Sequence, residues 1–268
     1  MKKIVLVLLL SLLALGVVAN SAPLNGSIQI IGSTSVQPLA EELAQAFMTK
    51  NPWVKIFVQG GGSGAGISAA INGTADIGNS SRRLKPEETA ARIHKTIIAK
   101  DGIAMIVHPS NPIKDLTVGQ IQQIYLGKIS NWKGVGGPDL RIALVNREAG
   151  SGTRGAFEEI VMGKMASKMS SKTLVQASTG AVQQTVAVTK EAIGYISLGS
   201  LDPKAVKALH VNGVAPTEQN VSNKTYQLWR PFLMLTKNIP TGVTKAFLDW
   251  ILSPEGQKIV LRDFIPVK

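Results

Sequence analysis

Ser27-Ile-Gln-Ile-Ile-Gly-Ser-Thr-Ser-Val-Gln-Pro-Leu-Ala-Glu-Glu-Leu-Ala-Gln-Ala-Phe47 decides the fold. Ser27 to Ile31 reads as a strand, and Leu39, Leu43 and Phe47 recur at helical spacing until Asn51-Pro52 stops the helix. Between them stands Gly32-Ser33-Thr34-Ser35, a turn of glycine and hydroxyls placed where the strand hands over to the helix. Pro38 is tolerated there because the first turn of a helix has no use for its missing N–H.

The same grammar repeats outward. Val54 to Val58 alternates as a second strand, a glycine-rich turn follows, and a short helix through Ile67 and Ile71 ends at Gly73. The strand pattern resumes at Ile103 to Val107. Pro109 to Leu116 then turns to Pro, Asn, Ser and Lys, a composition suited to a crossover between lobes. Beyond it come a helix from Thr117 to Leu126, a strand from Ile142 to Val145, a helix through Phe157 and Ile160, and a strand from Ile193 to Ile196. The last strand, Phe232 to Thr236, and the helix of Phe247, Trp250 and Ile251 return to the first set. The expectation is an α/β protein of two lobes with a cleft between them: residues 26–108 and 229–268 form lobe I, and 109–228 form lobe II.

Lys2 and Lys3 precede an apolar run from Ile4 to Leu15, with Val17-Val18-Ala19 as a small-residue cleavage site. This reads as a secretory signal peptide over residues 1–19, because the run is shorter than the ~20 residues that span a bilayer. Cleavage leaves 249 residues and removes two lysines, lowering the net charge from +12 to +10. With no cysteine in the chain there is no disulfide, no thiolate metal site and no lipid-modified N-terminal cysteine, so the expected location is the periplasm, as a free protein rather than a lipoprotein. The 44% hydrophobic content excludes a disordered chain. The positive residues are scattered, without a basic run or aromatic interleaving; that argues for no nucleic acid and for a basic surface that attracts anions at long range.

Three loops share the strand–Gly/Ser/Thr–helix design: Gly32 to Ser35, Gly60-Gly-Gly-Ser-Gly-Ala-Gly66, and Arg147-Glu-Ala-Gly-Ser-Gly-Thr-Arg154. Helix N-termini carry partial positive charge and bare N–H groups, so each loop favours an anion. Ser and Thr before a helix are equally ordinary caps, which leaves the first loop open between the two readings. The glycine-rich loop is neither a phosphate-binding loop of the Lys-Ser/Thr type nor a dinucleotide fingerprint. The Arg147 loop is the most informative, joining a guanidinium to hydroxyls and close backbone approach, although Arg147 and Glu148 could be a plain surface pair.

Catalysis is poorly supported. His94, His108 and His210 stand apart with no acidic cluster, and Ser151 lies in Gly-Ser-Gly rather than a nucleophile elbow, so no enzyme, metal or cofactor is expected. Trp53, Trp132, Trp229 and Trp250 read as core or domain-edge residues.

The chain resembles the periplasmic phosphate-binding proteins of the phosphate-specific ATP-binding-cassette importer, which have a type II periplasmic binding fold. The matching stretches, in family order over nearly the whole mature chain, are Ile31 to Pro38, Gly60 to Gly66, Ala75-Asp-Ile-Gly-Asn-Ser-Ser-Arg82, Leu116 to Gly127, Ile129-Ser-Asn-Trp132, Arg147 to Thr153 and Ile193-Gly-Tyr-Ile196. The resemblance implies a monomer that carries inorganic phosphate to a membrane permease, and a ligand set of Thr34, the amide of Ser35, Ser63, Arg147, Ser151, Gly152 and Thr153. It also implies an aspartate that accepts the phosphate proton, but the matching position here is Ser81. A hydroxyl can accept or donate, so Ser81 does not repel sulfate as a carboxylate would. Ala149 stands where some relatives carry an acidic partner for the arginine, leaving Glu148 as the local candidate.

Overall fold

The structure is a computed structural model that describes residues 23–267; the expected signal peptide lies outside them. In chain order it comprises β1 (Gly26–Gly32), α1 (Gln37–Lys50), β2 (Val54–Gly60), α2 (Ser63–Asn72), β3 (Ile77–Ser80), α3 (Pro86–Thr89), β4 (His94–Val107), β5 (Asp115–Leu116), α4 (Val118–Tyr125), β6 (Ala143–Arg147), α5 (Gly152–Phe157), β7 (Leu174–Gln176), α6 (Thr179–Val188), β8 (Ala192–Ser197), β9 (Lys207–Ala208), β10 (His210–Val211), α7 (Glu218–Ser222), β11 (Trp229–Thr236), α8 (Gly242–Ile251) and α9 (Pro254–Val260). The mixed α/β order and the return of the chain at its end are those of a two-lobed type II periplasmic binding fold.

One sheet carries both lobes, in the order β2-β1-β3-β11-β4-β8-β6-β7. β1 runs parallel to β2 and β3, so α1 and α2 are crossover helices. β6 likewise runs parallel to β7 and β8. Side chains that alternate along β1 explain why only one face is apolar: Ile28 and Ile30 are buried, while Ser27 and Gln29 between them are exposed. The stripe Leu39, Ala40, Leu43, Ala44 and Phe47 of α1 covers that face. Phe247 of α8 meets Phe47 edge-on at 5.1 Å, so the C-terminal helices do close the first core.

A second core gathers Tyr125, Trp132, Phe157 and Tyr195. Phe157 and Tyr195 stack there with centroids 4.2 Å apart. The strand β4 belongs to both cores: Ile98 and Ala99 pack in the first, Ile103 to Val107 in the second. It pairs antiparallel with β11 along 94–102 and with β8 along 103–107. The chain therefore passes between cores inside a hydrogen-bonded strand, and Pro109 to Leu116, the expected crossover, lies on the second side, with Ile113 and Leu116 in that core. A ladder-paired strand satisfies its backbone groups where a buried loop would leave them bare.

Trp132 is fully buried, the core alternative of the expectation, whereas Trp53 is 70% exposed and stands at the domain edge. It opens the sheet-edge strand β2 on the side that Phe57 also leaves exposed. Among the described residues, no helix is long and apolar enough to cross a membrane.

Candidate anion-binding site

The carboxyl ends of β1, β2, β3, β6 and β7 all open toward the cleft, and in open α/β sheets ligands gather outside such ends. The first loop resolves its own ambiguity. α1 is capped at Val36 without any side-chain bond, because the backbone oxygen of Ser33 accepts from Val36 N and Gln37 N. The hydroxyls of Ser33, Thr34 and Ser35 are thus not consumed as helix caps. Ser33 Oγ accepts from Ser35 N at 3.2 Å and donates to Ser81 Oγ at 2.8 Å.

Glycine matters most at Gly62, which precedes α2 with φ 86°, a backbone that side chains rarely adopt. It delivers Ser63 as the first residue of α2, where Ser63 Oγ accepts from Ser81 N at 3.0 Å and lies 3.4 Å from Ser81 Oγ. In the third loop Ser151 does act as a cap, its Oγ accepting from Arg154 N at 3.2 Å, which leaves its proton to donate. Gly152 follows at the start of α5.

The lobes meet across these loops. Gly64 N donates to Gly150 O at 2.9 Å. Ser35 Oγ lies 2.9 Å from Thr153 Oγ1 and 2.8 Å from Thr179 Oγ1. Arg147, only 2% exposed, joins both sides: Nε and Nη2 hold the two oxygens of Glu148 at 2.8 and 2.9 Å, Nη2 reaches Thr34 Oγ1 at 3.2 Å, and Nη1 reaches Thr179 Oγ1 at 3.3 Å. The pair with Glu148 is real but not a plain surface pair, since the guanidinium is buried. Its outer edge, Nη1 and Nη2, faces the hydroxyl ring. Thr34 Oγ1 also accepts from Thr179 N at 3.4 Å, so both its lone pairs are engaged and its proton is left to donate. Below the site, Asn146 Oδ1 accepts from Arg147 N at 2.8 Å and from the Tyr195 hydroxyl. Burial pushes the Tyr195 phenol above its ordinary range and keeps it a neutral donor.

All eight expected residues converge here: Thr34, Ser35, Ser63, Ser81, Arg147, Ser151, Gly152 and Thr153. Two were missed. Ser33 was read only as part of its loop, and Thr179 was not singled out, although Ala177-Ser-Thr-Gly180 before α6 repeats the grammar of the other loops. Arg82 is bound elsewhere, forked onto Glu88 by two contacts of 2.7 Å. The arrangement is a buried cluster of hydroxyl and amide donors around one paired guanidinium, with Glu148 already engaged by Arg147. Its donors outnumber its acceptors, a chemistry suited to a compact oxyanion. Among the described residues, no group of His, Cys, Asp and Glu could hold a metal ion.

The fold, with these donor loops at the meeting of its lobes, is that of a periplasmic-binding-protein scaffold. The model of the PBP superfamily domain matches residues 17–255. The phosphate-binding protein PstS of Bacillus subtilis is 36% identical over 247 residues, covering 91% of this chain and 81% of that protein. The chain belongs to the PBP superfamily and, within it, to the PstS family of phosphate-binding proteins. Among solved structures, it is similar to a phosphate ABC transporter substrate-binding protein from Clostridium perfringens with bound phosphate, at 46% identity and TM-score 0.87, covering 91% of this chain and all of that one. An ABC-type phosphate transport receptor from Vibrio cholerae follows at 39% identity and TM-score 0.75, covering 89% and 99%.

Proposed function

We propose that this protein binds inorganic phosphate between its lobes and delivers it to the membrane permease of an ATP-binding-cassette importer. The observation that carries the reading is Arg147: a buried guanidinium whose free edge is ringed by hydroxyls from both lobes. A charge-assisted contact from its outer edge takes part of the anion's charge, and the hydroxyls and amides of Thr34, Ser35, Ser63, Ser81, Ser151, Gly152 and Thr153 take the remaining oxygens without a further direct cation. Thr179 joins them through Arg147 and Ser35.

The lobes of the proposal are divided within β4, at Gly102, rather than at residue 108, because Ile103 to Val107 pack in the second core. The second passage lies at Leu228–Trp229, where Leu228 packs in that core and β11 begins. Closure of the two lobes on the ligand completes the ring, which neither lobe has alone. The protein works as an extracytoplasmic monomer, in the periplasm, without catalysis of its own.

Phosphate assay of the denatured, purified protein and titration calorimetry test the reading. Stoichiometric phosphate binding supports it. Tighter binding of sulfate, molybdate or tungstate would instead make the protein a receptor for another tetrahedral oxyanion, an alternative favoured by Ser81 in place of a carboxylate. Turnover of a phosphate ester would make it a phosphatase.

A further inference from the structure

Arg147 is not the only buried guanidinium near the junction of the lobes. Arg230, on the first turn of strand β11 into the first core, stands in register opposite Asp101 of β4, one residue before the point where β4 passes between cores. Both are buried, at 1% and 0% exposure. Asp101 Oδ2 accepts from Arg230 Nε at 3.1 Å and Nη2 at 2.9 Å, while Oδ1 accepts from Ser197 Oγ at 2.9 Å and Gly199 N at 3.3 Å. One carboxylate thus gathers both crossing strands and the end of β8.

Its partner is incompletely satisfied. The face of the Arg230 guanidinium lies over the Phe232 ring at 5.6 Å, its Nε/Nη2 edge is on Asp101, and the buried Nη1 has no acceptor among the described residues. Arg147 is built alike, with a carboxylate on its Nε/Nη2 edge and Nη1 turned to hydroxyls. The two cations also feel each other. Burial is the chief cause that lowers the Arg230 pKa; Asp101 pulls it back up, and the Arg147 guanidinium adds a smaller lowering. Two buried like charges in a low-dielectric junction, one of them with an unmet donor, are relieved by an anion placed between the lobes. A fully satisfied structural pair would leave no such unmet donor.

We propose that Arg230 is a second positive centre of the anion cleft, held in place by Asp101, and that the charge balance of this pair sets how strongly the cleft holds a dianion. The inference rests on the phosphate reading above. Arg230 acts as a positioning charge beneath the site rather than as a contact named in the ligand ring. If the pair were only a hinge staple, removing either partner would disturb closure in the same direction. An electrostatic role gives opposite signs.

Titration calorimetry with inorganic phosphate on the full-length parent, Asp101→Asn, Arg230→Gln and the double variant tests this. Arg230→Gln with Asp101 left ionised takes one unit of positive charge from the junction and weakens binding on the order of tenfold, as expected for one unit charge several ångströms away at intermediate dielectric; proton uptake by Asp101 reduces the loss to that of the double variant. Asp101→Asn leaves Arg230 without its counter-charge and tightens binding severalfold, although the protein melts at a lower temperature without phosphate. The double variant falls between the parent and Arg230→Gln. Shifts of the two single variants in the same direction, or no shift in either, overturn the proposal. If the single variants do not fold, the neutral double variant carries the test: affinity at least about threefold below the parent supports the proposal, and equal affinity overturns it. A parent that binds no phosphate sinks the phosphate reading and this inference with it, whereas a phosphate-binding parent with unmoved variants sinks the inference alone.

Discussion

Gly152 of α5 stands so close to Ser63 of α2 that a Cβ added to it would lie 2.0 Å from Ser63 Oγ and 2.8 Å from Ser63 Cβ. The same added carbon would come within 2.6 Å of Ser81 Oγ. Real carbon atoms do not approach so near, so the meeting of the two lobes here depends on a missing side chain. That places a close approach of the lobes inside the ring of hydroxyls.

Gly152→Ala is therefore expected to leave each lobe folded and to wedge the lobes apart. Ser63 can turn its hydroxyl away but cannot move its own Cβ without shifting α2. Overpacking of this kind costs about 1–3 kcal/mol, a roughly 5- to 150-fold loss of phosphate affinity. Calorimetry gives the affinity and circular dichroism checks the fold. Parent-like affinity in the variant would mean that the cleft closes elsewhere.

Arg147→Ala removes the cation and leaves Glu148 half-buried beside the ligand position. Phosphate affinity should fall by roughly 2–5 kcal/mol, the range for truncating one partner of a buried charge pair. Arg147→Lys is expected to recover only part of this, because an ammonium cannot hold both oxygens of Glu148 on one edge and reach Thr34 and Thr179 with the other. A lysine variant equal to the parent would reduce Arg147 to a point charge.

Arg82 and Glu88 form a largely buried pair, with side chains 9% and 16% exposed, in which Glu88 also accepts from Lys85 N at 2.8 Å. Burial works to raise the Glu88 pKa, but the Arg82 and Lys85 contacts outweigh it and hold the carboxyl below its usual value of 4.5. A depressed folded pKa contributes stability above the unfolded value, which is lost as the pH falls through the folded one. Glu88→Gln should thus lower the unfolding free energy by about 1 kcal/mol near neutral pH, a deficit that shrinks as the pH drops below 4.5. Phosphate affinity should stay within about twofold of the parent, since Arg82 spends its fork on Glu88. Denaturant melts across pH and one titration check both; a pH-independent deficit would remove the ionic account.

The Arg147 loop was legible because charge, hydroxyl and glycine lie together in eight residues, and the α/β order was legible because β1 and α1 follow two different periods side by side. Thr179 was not. β7 before it has only three residues, and Leu174 and Val175 are both exposed, so no alternation announces a strand whose end could face a cleft. The change from one core to the next was hidden for the opposite reason: Ile103 to Val107 is a continuous apolar run, buried on both faces, and nothing in it marks the change. Trp53 begins the alternation Trp53, Lys55, Phe57, which falls on the outer face of an edge strand. Aromatic character alone could not show that. The Arg230–Asp101 pair joins residues 129 apart in the chain, a distance that no local pattern bridges.

Selectivity is the sharpest test of Ser81, which is fully buried, receives the Ser33 hydroxyl and faces Gly152 across the cleft. Near neutral pH phosphate keeps a proton and sulfate keeps none, so a site rejects sulfate strongly only if an acceptor is left without a donor when sulfate is bound. Serine escapes that penalty. With Ser33 donating to it, Ser81 Oγ can turn its own hydrogen toward the ligand, and the nearby carboxylate of Glu148 is already taken by Arg147. Ser81→Asp puts an acceptor-only group at that point. It should lower the sulfate-to-phosphate affinity ratio by at least about tenfold, the scale of one unpaired buried acceptor, while phosphate, which can donate to the new carboxylate, keeps most of its binding. Competition titrations of sulfate against phosphate on parent and variant read the ratio directly. An unchanged ratio in a folded variant would show that the ligand's proton meets another acceptor, with Ser33 and Ser63 next in the hydroxyl chain as the residues to replace.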